Sequence, residues 1–404
     1  MKIICTIPAF PKPSETFIFR EFQALKDKGI DVRAVSVERP PSDSVLSDSM
    51  EKVMSETLYT DRARIIKDAL LFAPRLLARP GRLVKSVKLA ARLLASGTKP
   101  RSTFAILLKT MPAAREAIKW KADGIYGQWP YGSKMAAMCS AMTGLPYAFS
   151  VHAHEVAHDN SHFPVIGPGA EFITFCNRAG MEYAHNHGLE GCVEKSHLVY
   201  HGVDTDTFKP SEIPDLPPLK IISAGRLTST KGFDLLLRSA AAAGKKGVNL
   251  EVTIVGDGQE RERLDKLAHE LGISDSTTIM PWMSFDRMPA LYSQNHVFVL
   301  LASPDYNDGL PNVVLEAMSC GRPVILSPLP ASREAVNNGE EGFILEEQKD
   351  LENAAIFIER LSLCPEDIKN MGNKARKKVE RRFSEKSCVE SLIELFRESF
   401  GEKG

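Results

Sequence analysis

The sequence lacks long hydrophobic runs and the cysteine pairs that are typical of disulfide-rich proteins and zinc ribbons. No stretch reaches about eighteen uncharged apolar residues, so no membrane-spanning helix is predicted. The short apolar run at the start is soon interrupted by prolines and charges, and we expect no signal peptide from it. Seven cysteines are scattered without any C-x-x-C pair, and their odd number favours free thiols in a reducing cytosol.

An excess of charge of one sign is also missing. The 404 residues include 51 Lys and Arg and 51 Asp and Glu, so the net charge is zero. Bulk attraction to nucleic acid is therefore not predicted. The hydrophobic fraction of 43% is typical of globular proteins, and the length exceeds what one core usually supports, so two domains are expected.

A repeated rhythm of strand, helix and strand predicts an α/β protein. Residues 2–7 and 31–37 are predicted to be buried strands, and Ile18, Phe22 and Leu25 recur between them at helical spacing. Two strands and a helix within about 40 residues predict a parallel, helix-covered sheet. The loop after the first strand has no glycine-rich dinucleotide fingerprint. The same rhythm returns in the second half, with predicted strands at 219–224, 250–255, 277–280 and 297–302.

One segment, residues 62–121, is strongly basic. It holds fifteen Lys and Arg against two acids, a local net charge of +13 in a chain whose total is zero. Leucines and alanines alternate with these charges, which predicts short amphipathic helices broken near Pro74, Pro80 and Pro100. Such helices can lie on an anionic membrane surface, where each nearby Lys or Arg contributes about 1 kcal/mol. The alternative is a solvated helical insertion that packs on the first domain.

A phosphate-binding loop is predicted within residues 303–326, SPDYNDGLPNVVLEAMSCGRPVIL. Pro311 suits the first turn of a helix over 311–319, and Gly321 suits the end of that helix. The backbone N–H groups of Leu310, Asn312 and Val313 would then point out of the helix N-terminus, together with the positive end of its dipole. This arrangement is a ready site for a phosphate group.

Charged side chains stand on both sides of this predicted cradle. Asp308 lies in the loop and Glu316 inside the helix, where carboxylates can accept hydrogen bonds from sugar and ribose hydroxyls. Arg226 and Lys231 follow the predicted strand at 219–224, five residues apart. Two cations at a strand end can neutralise a diphosphate, and Arg can do so with two parallel hydrogen bonds.

Together, these motifs resemble the signature of the retaining family 4 glycosyltransferases. The matching residues are Asp308-Gly-Leu-Pro, Glu316-Ala-Met, Cys320-Gly-Arg-Pro-Val, and Gly-Arg-Leu followed by Lys-Gly-Phe-Asp from Gly225. The N-terminal loop PAFPKPSETFIFRE is similar to the FP..SETFI..E loop of polysaccharide-assembly members, the bacterial exopolysaccharide and colanic-acid-type enzymes. The segment YHGVDTDTFKP resembles the family's hinge between domains.

The resemblance implies the GT-B fold, an α/β architecture of two Rossmann-like domains whose parallel sheets face each other across a central cleft. It implies an acceptor-side domain over 1–208, with the basic segment inserted at about 62–121. A nucleotide-sugar-binding domain is implied over 209–383, and a C-terminal helix over 384–404 is expected to cross back to the first domain.

The resemblance also implies roles for individual residues. Asp308 and His152 would hold the donor sugar, and this sequence has Asp308 where the family carries a glutamate. Glu316 would bind the ribose and Met283 would lie near the base. The diphosphate would contact Arg226, Lys231, Gly309, Leu310, Pro311, Asn312 and Val313. The cleft loop would contribute Ser14, Glu15 and Thr16, and Ser14 is also the candidate N-cap of the helix that follows.

Two metal sites are alternatives to a metal-free mechanism. His152, His154, Glu155 and His158 lie close together in sequence, but a usual zinc site shows clearer ligand spacing. Asp204 and Asp206 form a D-x-D, the metal motif of the other large glycosyltransferase fold, yet it lies beside a proline-rich linker. The resemblance implies no metal and no cofactor, because fixed cations would neutralise the diphosphate. Gln128 receives no role.

The implied function is a retaining, metal-independent hexosyltransferase. It would move a sugar from a nucleotide donor to a hydroxyl of a glycan or lipid-linked acceptor in cell-surface polysaccharide synthesis. We expect it in the cytoplasm, at the inner face of the cell membrane. The sequence leaves UDP, GDP and ADP open as donor nucleotides. The alternatives are a sugar-nucleotide epimerase or phosphorylase of the same fold, and a non-catalytic sugar-nucleotide binding protein.

Overall fold

The computed structural model describes residues 1–12, 15–40, 48–152, 160–303 and 309–401. The chain divides into two compact units. The first unit contains residues 1–201 and residues from 388 onward, and the second contains Gly202–Ser387. Among the described residues, no helix combines the length and the apolar character that crossing a bilayer requires.

The first unit is built on a parallel sheet of seven strands in the order β3-β2-β1-β4-β5-β6-β7. The strands are β1 Lys2–Ala9, β2 Asp31–Glu38, β3 Leu58–Tyr59, β4 Gly124–Gln128, β5 Tyr147–Val151, β6 Ile173–Phe175 and β7 Ser196–Leu198. The helices between them are α1 Thr16–Asp27, α2 Asp48–Glu56, α3 Arg62–Leu77, α4 Pro80–Ala95, α5 Pro100–Trp120, α6 Trp129–Thr143, α7 Phe163–Ile166 and α8 Arg178–His185. Both faces of this sheet are buried, which is typical of parallel sheets covered by helices.

The basic segment lies between β3 and β4 in the first unit. Its helices α3, α4 and α5 bury Phe72, Leu93 and Ile106 in the core of the first unit. The helices are also longer than predicted, with 16, 16 and 21 residues. Pro80 and Pro100 begin helices, as expected for a first-turn proline.

The predicted break at Pro74 is wrong, because Pro74 lies inside α3. The N–H group that proline lacks would have bonded to the carbonyl of Leu70, one turn earlier. Leu70 is an exposed residue, so water can reach that side of the helix and replace the missing donor.

The second unit has a parallel sheet of six strands in the order β10-β9-β8-β11-β12-β13. Its strands are β8 Leu219–Ala224, β9 Leu250–Val255, β10 Thr277–Met280, β11 Val297–Leu300, β12 Val324–Leu326 and β13 Gly342–Ile344. Its helices are α9 Phe233–Lys245, α10 Arg261–Glu270, α11 Met288–Ser293, α12 Asn312–Ser319, α13 Pro330–Ala335, α14 Leu351–Leu363 and α15 Pro365–Arg382. The two sheets confirm the predicted α/β class of two Rossmann-like domains.

The division between the units falls at Gly202, earlier than the predicted boundary after residue 208. The residues in between are bonded into the second unit. Val203 pairs with Ser384, and the carbonyl of Phe208 accepts hydrogen bonds from Ser319 Oγ at 2.7 Å and Arg376 Nη1 at 2.6 Å.

The last helix, α16 Glu385–Phe400, enters the first unit from Cys388 onward. The ring of Phe396 packs edge-on against Tyr126, with ring centroids 5.2 Å apart. A Cβ atom at Gly124 would lie 2.2 Å from the ring of Phe400, so the helix approaches β4 closely.

Candidate functional site

The carboxyl ends of β8 and β11 form the centre of the candidate site in the second unit. From β8 the chain proceeds outward to β9 and β10, whereas from β11 it proceeds in the opposite direction to β12 and β13. Ligands of open parallel sheets bind beside the strand ends at the place where the strand order reverses. The segment after β8 carries Arg226 and Lys231, and the segment after β11 leads to α12. The fold therefore brings these predicted residues to one edge of the same sheet.

Lys231 is held in place by backbone packing. It is buried on a short turn before α9, and the next residue, Gly232, has a φ of +68°. A Cβ atom at Gly232 would lie 2.0 Å from the carbonyl oxygen of Leu301, so only glycine fits there. The side chain of Lys231 lies beside the backbone of Gly225, whose added Cβ would be 3.4 Å from the lysine Cε. Arg226, in contrast, is exposed.

The N-terminus of α12 offers free amides. The helix begins at Asn312, with Pro311 in the N-cap position rather than in the first turn as predicted. The N-cap backbone of Pro311 is extended, with a ψ of 127°, which excludes it from the helix itself. Within the described part of the chain, the N–H groups of Leu310, Asn312 and Val313 have no hydrogen-bond acceptor. Gly309, just before them, has a φ of +69°, which turns the backbone into this segment.

Glu316 is a buried carboxylate one turn inside α12. The hydroxyl of Tyr292 lies 3.3 Å from its Oε2 and 3.4 Å from the carbonyl oxygen of Val313. Burial, followed by the charge of Glu316, raises the pKa of the Tyr292 phenol well above its usual value, so this hydroxyl stays protonated as a donor. The buried Arg322 of the Gly-Arg-Pro motif donates to the carbonyl of Tyr292 at 2.9 Å, which fixes the position of α11.

Met283 lies in the loop after β10, at the far side of the same edge, and is half-buried. This loop is tied to its neighbour, because the N–H of Trp282 donates to Asp257 Oδ2 at 2.8 Å. The loop after β9 also meets the loop after β8, since a Cβ at Gly256 would lie 1.9 Å from the carbonyl oxygen of Gly225. The loops after β8, β9 and β10 thus form one continuous rim.

Several predicted residues lie outside the described part of the chain. These are Ser14, His154, Glu155, His158 and Asp308. Of the N-terminal loop, Glu15 occupies the N-cap position of α1 in place of the predicted Ser14, and its carboxylate pairs with Lys12. Thr16 is the first residue of that helix.

The second group of candidate residues lies at the strand ends of the first unit. His152 follows β5 and is only 3% exposed. Its Nε2 is 2.9 Å from Gln128 Oε1, and its Nδ1 is 3.3 Å from His201 Nε2. The rings of Phe17 and Trp129 enclose this pair, with centroids 4.0 Å from His201 and 4.3 Å from His152 respectively.

The hydrogen bonds of Gln128 determine the tautomer of His152. The amide Nε2 of Gln128 donates to Glu21 Oε1 at 2.7 Å, so its Oε1 faces His152 and can only accept. His152 therefore carries its proton on Nε2, and its Nδ1 accepts from His201. Burial lowers the pKa of His152 well below its usual value and that of His201 to about 3, so both rings are neutral. A sugar hydroxyl would compete with His201 for Nδ1 of His152.

One group of side chains has the geometry of a metal site. Ligand atoms of His152, Cys176 and His201 all lie within 4.8 Å of one another. Nitrogen and sulfur donors of this kind suit zinc. This group shares only His152 with the metal site considered from the sequence, which also contained His154, Glu155 and His158. The hydrogen bond between the two neutral histidines already accounts for their approach, and no ion is needed to explain it.

The D-x-D pair at Asp204 has a structural explanation. Oδ1 of Asp204 accepts the N–H groups of Asp206 at 2.9 Å and of Thr207 at 3.1 Å. Aspartate side chains commonly stabilise turns in this way. The carboxylate of Asp204 therefore holds the turn at the start of the second unit.

Three residues of these sites, Glu21, His201 and Tyr292, escaped the sequence analysis, and Gln128 was given no role in it. Glu21 had a visible signal, because it lies three residues after Ile18 and four before Leu25, within the apolar stripe of α1. Gln128 could have been found as a polar side chain at the end of a predicted parallel strand. Tyr292 had no such signal, because its contact with Glu316 depends on packing between α11 and α12.

Replacing Glu21 by glutamine is expected to make stability less dependent on pH. Burial raises the pKa of Glu21 to about 8, and the thiol of Cys5 and the phenol of Tyr126 lie near it. Because the folded protein holds this proton more tightly than the unfolded chain, the wild type loses stability as the pH rises from about 4.5 to about 8. In Glu21→Gln the new amide oxygen can still accept the hydrogen bond from Gln128 Nε2, but the side chain cannot ionise. We expect its Tm to exceed that of the wild type at pH 8.5 and to approach it at pH 5.

The control for this prediction is Glu262→Gln, which changes an exposed glutamate on α10. Its Tm relative to the wild type should not depend on pH in the same range. The prediction would be contradicted if the difference in Tm between Glu21→Gln and the wild type stayed constant from pH 5 to 8.5. Glu21 would then not keep its proton in the folded protein.

Comparisons with known proteins find similarities over the second unit. Residues 204–378 match the family model described as glycosyl transferases group 1. An uncharacterized glycosyltransferase of Haemophilus influenzae is 34% identical over 202 residues, which are 50% of this chain and 54% of the relative. A GDP-mannose-dependent alpha-(1-6)-phosphatidylinositol monomannoside mannosyltransferase of Mycobacterium tuberculosis is 26% identical over 271 residues, 61% of this chain and 68% of the relative. The chain spans about half the length of the curated relatives that it first matches.

Solved structures show the same fold over nearly the whole chain. The structure of Anabaena HepE in complex with UDP has a TM-score of 0.73 at 15% identity, and the match covers 98% of this chain and 100% of that one. Sucrose-phosphate synthase from Thermosynechococcus elongatus has a TM-score of 0.70 at 16% identity, with 98% and 99% covered. Residues 204–378 are therefore similar to the glycosyl transferases group 1 family model, and the chain has the GT-B fold.

Proposed function

We propose that the protein is a retaining glycosyltransferase that moves a hexose-type sugar from a nucleoside-diphosphate donor to an acceptor hydroxyl. The observation that carries this proposal is the arrangement around the reversal of strand order in the second unit. The buried Lys231 follows β8, while free amides and the buried Glu316 follow β11. A cation and a helix N-terminus suit a diphosphate, and a buried carboxylate suits hydroxyl groups.

The proposed chemistry follows from where charge develops. The bond between C1 of the sugar and the diphosphate oxygen breaks, and its electron pair stays on the diphosphate. Lys231, Arg226 and the free N–H groups at the N-terminus of α12 would stabilise this negative charge as preorganised donors. The acceptor oxygen forms its bond to C1 on the same face of the sugar, and its proton passes to the leaving diphosphate. This route needs no separate catalytic base and no metal ion.

The remaining roles are part of the proposal. The carboxylate of Glu316 accepts hydrogen bonds from the ribose hydroxyls, and Tyr292 holds this carboxylate in position. Met283 lies beside the base, and Asp308 and His152 position the sugar. The N-terminal loop at Ser14, Glu15 and Thr16 binds the acceptor.

We propose a glycan or lipid-linked acceptor in cell-surface polysaccharide synthesis. The mannosyltransferase relative is named for phosphatidylinositol monomannoside, which supports a lipid-linked substrate. The seven cysteines are all free thiols, which supports a reducing compartment. We therefore propose that the enzyme acts in the cytoplasm, at the inner face of the cell membrane.

A product assay tests this function directly. Purified protein is incubated with UDP-, GDP- and ADP-sugars and a panel of lipid-linked and glycan acceptors, with and without EDTA. One donor class should yield a glycosylated acceptor whose anomeric configuration, read by NMR, is that of the donor, and EDTA should not change the rate. Inversion at C1 would refute the retaining mechanism. Nucleotide release without any acceptor product would instead indicate hydrolysis or epimerisation.

A further inference from the structure

The helices α3 and α4 carry two separate apolar faces. One face is buried in the core of the first unit, where Phe72, Leu76 and Leu93 are in contact with the other core residues. The packing of these helices onto the domain is therefore complete without their other leucines. Several other leucines and valines of these helices do not pack on this core and are exposed in the described part of the chain, and most of them form a second face.

This second face has helical periodicity on both helices. On α3, Ile66, Leu70, Pro74 and Leu77 follow one another at intervals of four, four and three residues. On α4, Val84, Val87, Ala91 and Leu94 follow at intervals of three, four and three. Such spacing aligns side chains along one side of a helix. We call these two rows of residues the apolar stripes.

Exposed large apolar side chains are concentrated on α3, α4 and α5, and most of them belong to the apolar stripes. Thirteen large apolar side chains are exposed in the described residues, and eight of them lie on α3, α4 and α5. These eight are Ile66, Leu70, Leu71, Leu77, Val84, Val87, Leu94 and Phe104. Leu70 is 71% exposed and Val87 is 56% exposed. Single exposed leucines are normal, but a concentration of this kind marks a surface that binds a partner.

The charge beside the apolar stripes has one sign. Residues 62–95 contain nine Lys and Arg and a single acid, Asp68. Asp68 is buried and bonded to Arg115 at 2.8 Å, so no acidic side chain of α3 or α4 is exposed. Lys67, Lys85 and Lys88 are exposed next to stripe residues. Long basic side chains can keep their charge in the polar layer while a neighbouring apolar residue is buried deeper.

We propose that the apolar stripes of α3 and α4 are a docking surface for an anionic phospholipid bilayer. The aliphatic side chains enter the boundary between headgroups and acyl chains, and the flanking lysines and arginines contact lipid phosphates. A link of only two residues, Ala78 and Arg79, joins the helices, so the stripe that ends at Leu77 is followed directly by the one that begins at Val84. The uniform positive charge favours a lipid surface over a protein partner, whose recognition usually uses charges of both signs.

This inference deepens the proposed function, because it names the surface that brings the enzyme to a lipid-linked acceptor. The two can fail separately. Vesicle binding requires no donor, and donor turnover with a short soluble acceptor requires no membrane.

The test is flotation of the full-length protein with lipid vesicles. One set of vesicles contains phosphatidylcholine alone, and the other also contains about 30% phosphatidylglycerol, which gives it the negative surface charge of an anionic leaflet. The wild type should float with the anionic vesicles and stay behind with the neutral ones. The double variant L70D/V87D should bind the anionic vesicles at least about tenfold more weakly, since each change removes an apolar side chain and adds a repelled charge. Nucleotide binding by this variant should be unchanged.

The matched control is Leu363→Asp. Leu363 is 73% exposed at the end of α14 in the second unit, and it is not part of the apolar stripes. This variant should float like the wild type. The charge-reversal variant K67E/K85E/K88E should lose binding to the anionic vesicles while keeping the fold, as judged by circular dichroism.

Three results would overturn the proposal. The first is a wild type that does not bind anionic vesicles. The second is unchanged flotation of L70D/V87D, which would reduce the contact to charge alone. The third is a wild-type dimer that L70D/V87D converts to a monomer in light scattering, which would make the apolar stripes an interface between two copies of the chain.

Discussion

Replacement of Lys231 by methionine should lower kcat about 100- to 1,000-fold, the usual effect of removing one preorganised donor to a developing negative charge. Methionine is of similar length, so its packing beside Gly225 should be kept while the ammonium is lost. The loss should be larger in kcat than in the affinity for the donor, because charge on the diphosphate grows as the bond to the sugar breaks. Steady-state kinetics with the preferred donor measure both quantities.

The matched control for this experiment is Lys245→Met, which removes an exposed lysine from the end of α9 in the same unit. That variant should retain the kinetics of the wild type. A thermal melt of Lys231→Met should show a cooperative transition, so that loss of activity is not loss of the fold. A kcat within about threefold of the wild type would contradict the role of Lys231.

Replacement of Glu316 by glutamine should raise KM for the donor about 10- to 100-fold, with a smaller effect on kcat. A hydrogen bond to a charged group contributes about 1.5–3 kcal/mol, and each 1.4 kcal/mol corresponds to about a tenfold change in affinity. Glutamine keeps the size of the side chain and the contact with Tyr292, so the change isolates the charge. KM is measured with the natural donor and with its 2′,3′-dideoxyribose analogue.

The analogue decides whether Glu316 binds the ribose. Wild type and Glu316→Gln should have nearly equal KM values for the dideoxy donor. This donor lacks the hydroxyl groups that would donate hydrogen bonds to the carboxylate. Tyr292→Phe removes a hydrogen bond that positions this carboxylate and does not itself contact the donor, so it should raise KM for the natural donor only about fivefold. If the penalty of Glu316→Gln were the same for both donors, the carboxylate would have another role.

The sequence predicts the fold well where local patterns are sufficient. The predicted strands at 219–224, 250–255 and 277–280 coincide with β8, β9 and β10, because each is a short run rich in β-branched and apolar residues. The predicted helix over 311–319 begins one residue later than expected. Proline satisfies the geometry of an N-cap and of a first turn almost equally well, and the choice depends on the chain before it.

The basic segment shows where local patterns stop being sufficient. Its composition predicts amphipathic helices, and the structure contains them. The sequence alone could not decide that Leu76 and Leu93 face the core while Leu70 and Leu94 face outward. That distinction depends on the packing partners that the tertiary structure brings to each helix.

The network around His152 illustrates the same limit for the candidate sites. Its hydrogen bonds join Glu21, Gln128 and His201, which are far apart in the sequence. No local motif encodes such a network, since it exists only when β4 and β5 lie side by side and α1 packs against their ends. The roles of Arg226, Lys231 and Glu316 in the second unit remain predictions that rest on their place beside the strand ends.

The most direct test of the central claim is a crystal structure with the nucleoside diphosphate, UDP, GDP or ADP, that gives the largest thermal shift. We predict that diphosphate oxygens lie within hydrogen-bond distance, about 3.2 Å, of Lys231 Nζ and of the amides of Asn312 and Val313, with ribose hydroxyls on Glu316. A diphosphate bound elsewhere, with Lys231 and the N-terminus of α12 free of the ligand, would contradict the account.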